Sequence, residues 1–297
     1  MEKKIAVLKS KMLAYTILLA SVYSCNFAQS VNKDLVTGLV TRGNGLVCDE
    51  VYLASDREVL KRNTFVYGEA FIVNFDGIEG FKRTDENAFP GMELVVTSQQ
   101  GDTVLYQKDL YADYADGIKF SPLELYTEVT VADPIHSKGE YTLLVNIWDK
   151  KGKGTFRANL DFTVVPNDKI GITSNQISYD EIYLFSKDKG ITITDNRVGF
   201  NETIYLLFEG LEGLVVESEA VYFGLSMIIK DADGNLILKE EDLIGDEGMS
   251  YPDIHSQLAP NFILTGSQIS NPVICEISIW DKKSKASLKA STELNVQ

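Results

Sequence analysis

The second half of this 297-residue chain rewrites the first, and that repetition constrains the fold more than any other feature. Asp49-Glu50-Val51-Tyr52-Leu53 returns as Asp180-Glu181-Ile182-Tyr183-Leu184, and Ile147-Trp148-Asp149-Lys150-Lys151 returns as Ile279-Trp280-Asp281-Lys282-Lys283. Between them Phe75-Asp76-Gly77-Ile78-Glu79-Gly80-Phe81 is answered by Phe208-Glu209-Gly210-Leu211-Glu212-Gly213-Leu214. The offset stays between 131 and 133 residues. That period is too long for a solenoid unit and matches a whole small domain.

Within each copy the strand signal dominates. Phe156, Ala158, Leu160, Phe162 and Val164 alternate with Arg157, Asn159, Asp161 and Thr163; the copy does the same with Leu288, Ala290, Leu294 and Val296, Thr292 being the one polar substitution in the phase. A period of two puts these sets on opposite faces of a pleated strand. The preceding segments, Tyr141-Leu143-Val145-Ile147 and Val273-Cys275-Ile277-Ile279, each join the last strand through a Lys-rich turn, which predicts a closing β-hairpin. An early segment repeats too: Phe65, Tyr67, Phe71, Val73 and Phe75 share a phase, as do Val198, Phe200, Ile204, Leu206 and Phe208. Glu69 and Glu202 interrupt it at the same place, which predicts rim positions where a carboxylate reaches water or backbone donors. Further strands are expected near 50–54, 92–98, 103–109 and 124–131, with copies near 181–186, 223–230, 235–241 and 261–265, and no long amphipathic helix. Seven or so short strands per copy imply an antiparallel sandwich.

The ends of these strands carry a resemblance. Tyr67-Gly68-Glu69, Gly139-Glu140-Tyr141-Thr142-Leu143 and Phe162-Thr163-Val164 resemble the immunoglobulin-like modules of secreted bacterial proteins, although the second copy has Asn271-Pro272-Val273 where the first has Glu140-Tyr141 nearby. The fold expected is therefore all-β: two tandem immunoglobulin-like antiparallel β-sandwich domains after a signal peptide. Residues 1–30 are the signal peptide, 31–166 the first repeat and 167–297 the second. Such families include adhesins, spacers beside enzymes, and glycan or protein binders, so the resemblance implies an architecture and no single function.

The leader reading rests on Lys3, Lys4, Lys9 and Lys11 followed by the apolar run from Met12 to Val22. Two processing outcomes stay open. Val22-Tyr23-Ser24-Cys25 resembles a lipoprotein box in which Cys25 is acylated and anchors the chain to a membrane, whereas Asn26-Phe27-Ala28 suits ordinary cleavage. No later segment has the roughly 20 apolar residues of a membrane helix. The expected location is outside the cytoplasm: periplasmic, outer-membrane-associated or extracellular. Removing the leader's four Lys and its Glu2 from 28 basic and 43 acidic residues leaves 24 against 42, a net charge of −18. Nucleic acid is not an expected partner, because phosphate backbones are held by Lys and Arg clusters.

Candidate chemistry is sparse. His136 and His255 fall at unmatched positions in different repeats and cannot build a triad or a zinc site. Cys48 and Cys275 are unmatched and not expected to pair; Cys275 takes a core phase. Asp231, Asp233 and Asn235 have the alternating oxygen donors of a calcium loop, but position 242 is Asp where a helical calcium loop ends in Glu, and a tight hairpin turn explains the same residues without Ca2+. No enzyme and no cofactor are expected. Two aromatic features point to binding. Trp148 and Trp280 lie in the phase opposite the core, and Tyr111, Tyr114, Phe120 and Tyr126 crowd an acidic segment without an aromatic copy. A non-enzymatic binding or scaffold protein recognising a protein or polysaccharide at the cell envelope is the expectation, with a glycan-binding module using these aromatics as the alternative.

Overall fold

The computed structural model describes residues 29–55 and 58–297; residues 1–28 of the expected signal peptide, Cys25 included, lie outside the described residues. The chain is nearly all β. The first eleven strands are β1 (Gln29–Lys33), β2 (Val40–Asn44), β3 (Glu50–Ser55), β4 (Glu58–Val59), β5 (Thr64–Val66), β6 (Ala70–Ile78), β7 (Pro90–Ser98), β8 (Thr103–Gln107), β9 (Leu123–Thr130), β10 (Glu140–Asp149) and β11 (Thr155–Val165). The second half follows with β12 (Ile170–Asn175), β13 (Glu181–Ser186), β14 (Ile191–Ile193), β15 (Arg197–Val198), β16 (Thr203–Glu209), β17 (Val216–Glu217), β18 (Ala220–Val221), β19 (Phe223–Lys230), β20 (Leu236–Glu240), β21 (Met249–Ser250), β22 (Asn261–Ile263), β23 (Val273–Asp281) and β24 (Ser287–Val296). One short helix, α1 (Tyr251–Ser256), lies between β21 and β22.

Each half stacks a large sheet on a small one. In the first the orders are β1-β2-β11-β10-β7-β8 and β4-β3-β6-β9; in the second they are β12-β24-β23-β19-β20 and β14-β13-β16-β22. One hydrophobic core fills the first pair, with Leu53, Val73 and Phe75 from the small sheet meeting Leu94, Val145, Phe156 and Leu160 from the large one; a second core runs from Ile170 to Val296. The closing hairpins form as the alternation requires, Tyr141 opposite Phe162 and Val273 opposite Leu294. Cys275 is fully buried in the second core, and both described cysteines are free.

Two departures from the pattern have physical causes. The run from Phe65 to Phe75 is two strands rather than one: β5 pairs in parallel with β11 of the large sheet, and the chain then crosses to the small sheet as β6; β15 repeats the crossing against β24. Glu69 and Glu202 sit at this corner. Glu69 accepts the Val66 N–H and pairs with Arg62. Glu202 is not at a wet rim; it is 5% exposed, and its burial is offset by Ser186, the Gly199 N–H and Lys189 at 2.9 Å. The second departure is β1, β2 and β12, whose polar residues hide them from an alternation test.

The repeated motifs are explained by packing. Asp149 is 5% exposed and accepts the Lys82 N–H at 2.7 Å and the Lys151 N–H at 2.9 Å, tying the closing hairpin to the glycine loop after β6. Asp281, 3% exposed, takes the Val215 and Lys283 N–H groups, both at 3.2 Å. The next residues, Lys150 and Lys282, lie 2.8 Å from Asp109 and Asp242, and Lys151 and Lys283 lie 4.8 Å above the Phe89 and Tyr222 rings. Gly77 and Gly210, at φ +67° and +66°, leave room for Asp49 and Asp180: an added Cβ would come within 2.3 and 2.1 Å of their carboxylates.

Removing either buried aspartate strands backbone donors, which costs about 1–3 kcal/mol each. Asp149→Ala and Asp281→Ala are each expected to lower stability to urea by about 2 kcal/mol. In single-tryptophan backgrounds, Trp280→Phe or Trp148→Phe, the remaining indole reports unfolding of its own half; a loss under about 0.5 kcal/mol would remove this explanation of the motif.

Candidate functional site

The outward face of the first half's small sheet gathers an aromatic and acidic row. Because β3, β6 and β9 alternate, Leu53, Val73 and Leu125 point to the core and the intervening residues face out. Register places Tyr52 opposite Asn74 and Asn74 opposite Tyr126. Tyr126 is 61% exposed, and the Tyr52 hydroxyl donates to Asp76 at 3.1 Å. Glu124 and Glu128 flank Tyr126 along the strand, both exposed.

The aromatic segment before β9 supports this row from one side. Tyr111 is not a surface residue: it is 8% exposed, and its hydroxyl accepts the Tyr126 N–H at 3.1 Å and donates to the Tyr126 carbonyl at 3.3 Å, closing the free edge of β9. Burial pushes its phenol upward, so it stays a hydrogen-bonding phenol and offers no face to a ligand. Tyr114 stands 5.4 Å from Tyr111, centroid to centroid, and remains exposed. Phe120 is exposed on a loop whose carbonyls accept from Arg83.

The counterpart of this face in the second half is occupied from within the chain. Tyr67, at the end of the first half, lies 5.2 Å from the Tyr183 ring; its hydroxyl donates to Glu209 at 3.3 Å and accepts the Asp133 N–H at 3.2 Å. The Ser137 N–H donates to Glu181 at 2.6 Å, and His136 Nδ1 is 3.9 Å from the same carboxylate, which is 2% exposed. Gly68 meets Thr192 so closely that a Cβ would fall 2.3 Å from its Oγ1. Burial pushes the Tyr67, Tyr183 and Glu181 groups upward. Beside this contact a cleft of about 470 Å3 opens between Ile72, Glu128 and Thr130 on one side and Phe185, Ile191 and Thr192 on the other, with Glu128 two residues along β9 from Tyr126.

The remaining candidates separate. Trp148 and Trp280 are on the outer faces of the two large sheets, half-buried, each lying over a glycine of the neighbouring strand: a Cβ on Gly91 or Gly224 would come within 2.2 or 2.0 Å of the indole. Asp231, Asp233 and Asn235 form a turn in which Asp231 accepts the N–H groups of Asp233 and Asn235 and the Asn235 side-chain amide, while Asp233 accepts from Ser270. These bonds close a tight hairpin turn. Among the described residues no group of three or more His, Cys, Asp or Glu is placed to hold a metal. His136 pairs with Asp133 and Glu181, and His255 with Glu212, in different halves. Burial pushes the thiols of Cys48 and Cys275 up to about 12, far from a reactive thiolate.

No family model matches the chain, and no curated protein matches it. Overlaps with solved structures are remote. The C-terminal domain of wzt shares 13% identity over 44% of this chain and 79% of its own, with a TM-score of 0.29. Dimeric latent PorU from Porphyromonas gingivalis shares 12% over 85% of this chain and 20% of its own, TM-score 0.27. The fibronectin(III)-like modules of Clostridium thermocellum CbhA share 10% over 82% and 94%, TM-score 0.20. Likeness at this level transfers no ligand and no activity.

Glu181 gives the junction a pH signature. Its raised native pKa means the folded state holds a proton more tightly than the unfolded state, so this group's contribution to stability is present below the ordinary value of 4.5 and is lost as pH rises through the native value. Wild type is expected to gain in melting temperature relative to Glu181→Gln as pH falls from neutrality toward the ordinary value of 4.5, the glutamine keeping an acceptor for Ser137 but no titration. A difference independent of pH would mean that the carboxylate is not desolvated.

Proposed function

We propose that this protein is a non-catalytic recognition and scaffold module, exported to the cell envelope or surface, which holds a protein partner on the outer face of its first β-sandwich. One observation carries the reading. The patch formed by Glu181, Tyr183 and Glu209 is engaged by the end of the preceding sandwich, while Glu50, Tyr52 and Asp76, at the same places in the first copy, have no such cover among the described residues. Glu181 is 2% exposed, whereas Glu50 is exposed. A surface that binds protein once in this chain is chemically fitted to do so again.

The partner's chemistry follows from the internal example: an aromatic hydroxyl and free backbone N–H groups, such as Tyr67 and Ser137 supply, meeting carboxylates and a tyrosine ring. Tyr126 and the adjoining cleft extend the patch, and tyrosines combine large contact area with a polar tip. The separation of the two histidines and the burial of the thiols favour the non-catalytic part of this reading.

A photo-crosslinking side chain placed at Tyr52 or Tyr126 is expected to capture a discrete protein partner from intact envelopes, and one at Tyr106, 53% exposed on the other sheet, is not. The Tyr52→Ala/Tyr126→Ala double variant, with unchanged melting, should lower partner recovery at least about tenfold. Equal capture at all three positions, or full recovery with the double variant, overturns the proposal.

A further inference from the structure

The outer face of the first half's large sheet carries a second, differently charged surface. Strand order β2-β11-β10-β7 and the cross-strand registers build two parallel rows. One is Arg42, Arg157, Asn146 and Glu93; the other is Asn44, Thr155, Trp148 and Gly91. Rows two residues apart lie about 7 Å from each other and neighbouring strands about 4.8 Å, so the side chains tile a platform about the size of a sugar ring with its substituents. Trp148 lies over Gly91 and also lines a shallow hollow of about 370 Å3 with Arg42, Asn44, Asn146 and Arg157.

The arginines are the anomaly. Like charges directly opposite across an antiparallel pair repel, yet Arg42 and Arg157 are register partners, and among the described residues neither has a carboxylate within ion-pair distance. This occurs in a chain of net charge −15, where acids are plentiful. Arg157 is held from below: its Nε donates to Asn146 Oδ1 at 2.8 Å, and Asn146 donates to Glu93 at 2.8 Å, which fixes the guanidinium without neutralising it.

The second half is the internal control. Its rows are Thr173, Lys289, Ser278 and Ser226 over Asn175, Ser287, Trp280 and Gly224. The tryptophan on its glycine recurs, but the arginine pair does not: Arg42 becomes Thr173, and the one cation, Lys289, pairs with Glu276 at 2.6 Å. Leu144 stands in the first half where Glu276 stands in the second. The tryptophan is thus common architecture, and the uncompensated cations belong to the first half alone.

We propose that Arg42, Arg157 and Trp148 form a binding site for a carboxylate-bearing sugar, a uronic acid residue at the end or on a branch of a glycan. Guanidinium forks match a planar carboxylate, and the indole face accepts the apolar face of a pyranose ring. Asn44 and Thr155 supply partners for ring hydroxyls beside them. A short acidic ligand suits this chain better than a long polyanion: the site's field acts within a Debye length of about 8 Å, while a long chain meets the acidic remainder of the surface.

The test uses the mature protein with Trp280→Phe, so that emission comes from Trp148 alone. Digalacturonate is expected to quench that emission saturably, while its methyl ester and a neutral disaccharide do not. Arg42→Gln, an exposed change, should weaken digalacturonate binding at least about tenfold with unchanged melting, and Lys289→Gln should leave it unchanged. No quench by digalacturonate, an equal affinity for the methyl ester, or wild-type binding by Arg42→Gln overturns the site. Equal binding of a sulfated disaccharide would make it a general anion site and overturn the carboxylate assignment.

Discussion

A buried carboxylate holds each sandwich closed, and the surfaces that could bind anything depend on it. Asp149 and Asp281 stand where the closing hairpin turns, and each accepts one N–H from its own turn and one from the glycine loop 67 or 66 residues away. A charge at this depth is tolerable only because donors surround it. The consequence reaches outward. The same turn fixes the strand on which the tryptophan lies, and the loop it grips leads out of β6 or β16, the strands that carry Asn74 and Asp76 or Glu209 to the surface. Backbone and surface are therefore positioned by one constraint used twice.

That constraint also explains which residues the two copies share. Asp49 needs Gly77 and Asp180 needs Gly210, because side chain and backbone occupy adjoining space; Trp148 needs Gly91 and Trp280 needs Gly224 for the same reason. Interiors at crystalline density leave little room for separate variation at such contacts. Repetition in this chain marks packing first, and the most visible motifs are the least informative about ligands.

The strands were legible where one face is buried and the other wet. The alternation of Phe156 to Val164 and of Val273 to Ile279 reads directly as inward and outward sets, and the outward phase of both tryptophans follows from the same period of two. What lies beside a residue on the next strand is not contained in that period. Gly91 under Trp148 and Arg42 beside Arg157 depend on register between segments far apart in the chain, and Val40-Thr41-Arg42-Gly43-Asn44 has too little apolar character to announce a strand at all. Tyr111 failed in the other direction. A tyrosine in an acidic loop has the composition of a binding residue, yet its hydroxyl finds both the N–H and the carbonyl of Tyr126, and edge closure wins. Tyr67 and Tyr52 were readable only as a strand-phase residue and a repeated letter; that one covers the copy of the other becomes visible only once the two halves meet.

Divergence between the copies is most informative where register is kept and charge is not. Glu50 and Glu181 are the same residue at the same strand position, but the second is sealed by Ser137 and His136 and the first is open. Arg42 and Thr173, Arg157 and Lys289, Leu144 and Glu276 occupy matched outward positions and change the local field from neutralised to positive while the tryptophan and glycine beneath stay put. Arg42 and Arg157 are exposed and pack little, so a difference at these positions is not forced by the fold. An uncompensated cation pair is moreover unfavourable in the free protein, and an anion lying across both guanidinium groups would relieve that repulsion and gain two charge-assisted contacts at once. The first sandwich thus presents two unlike faces, one acidic and aromatic, one basic and aromatic, on opposite sides of a single core.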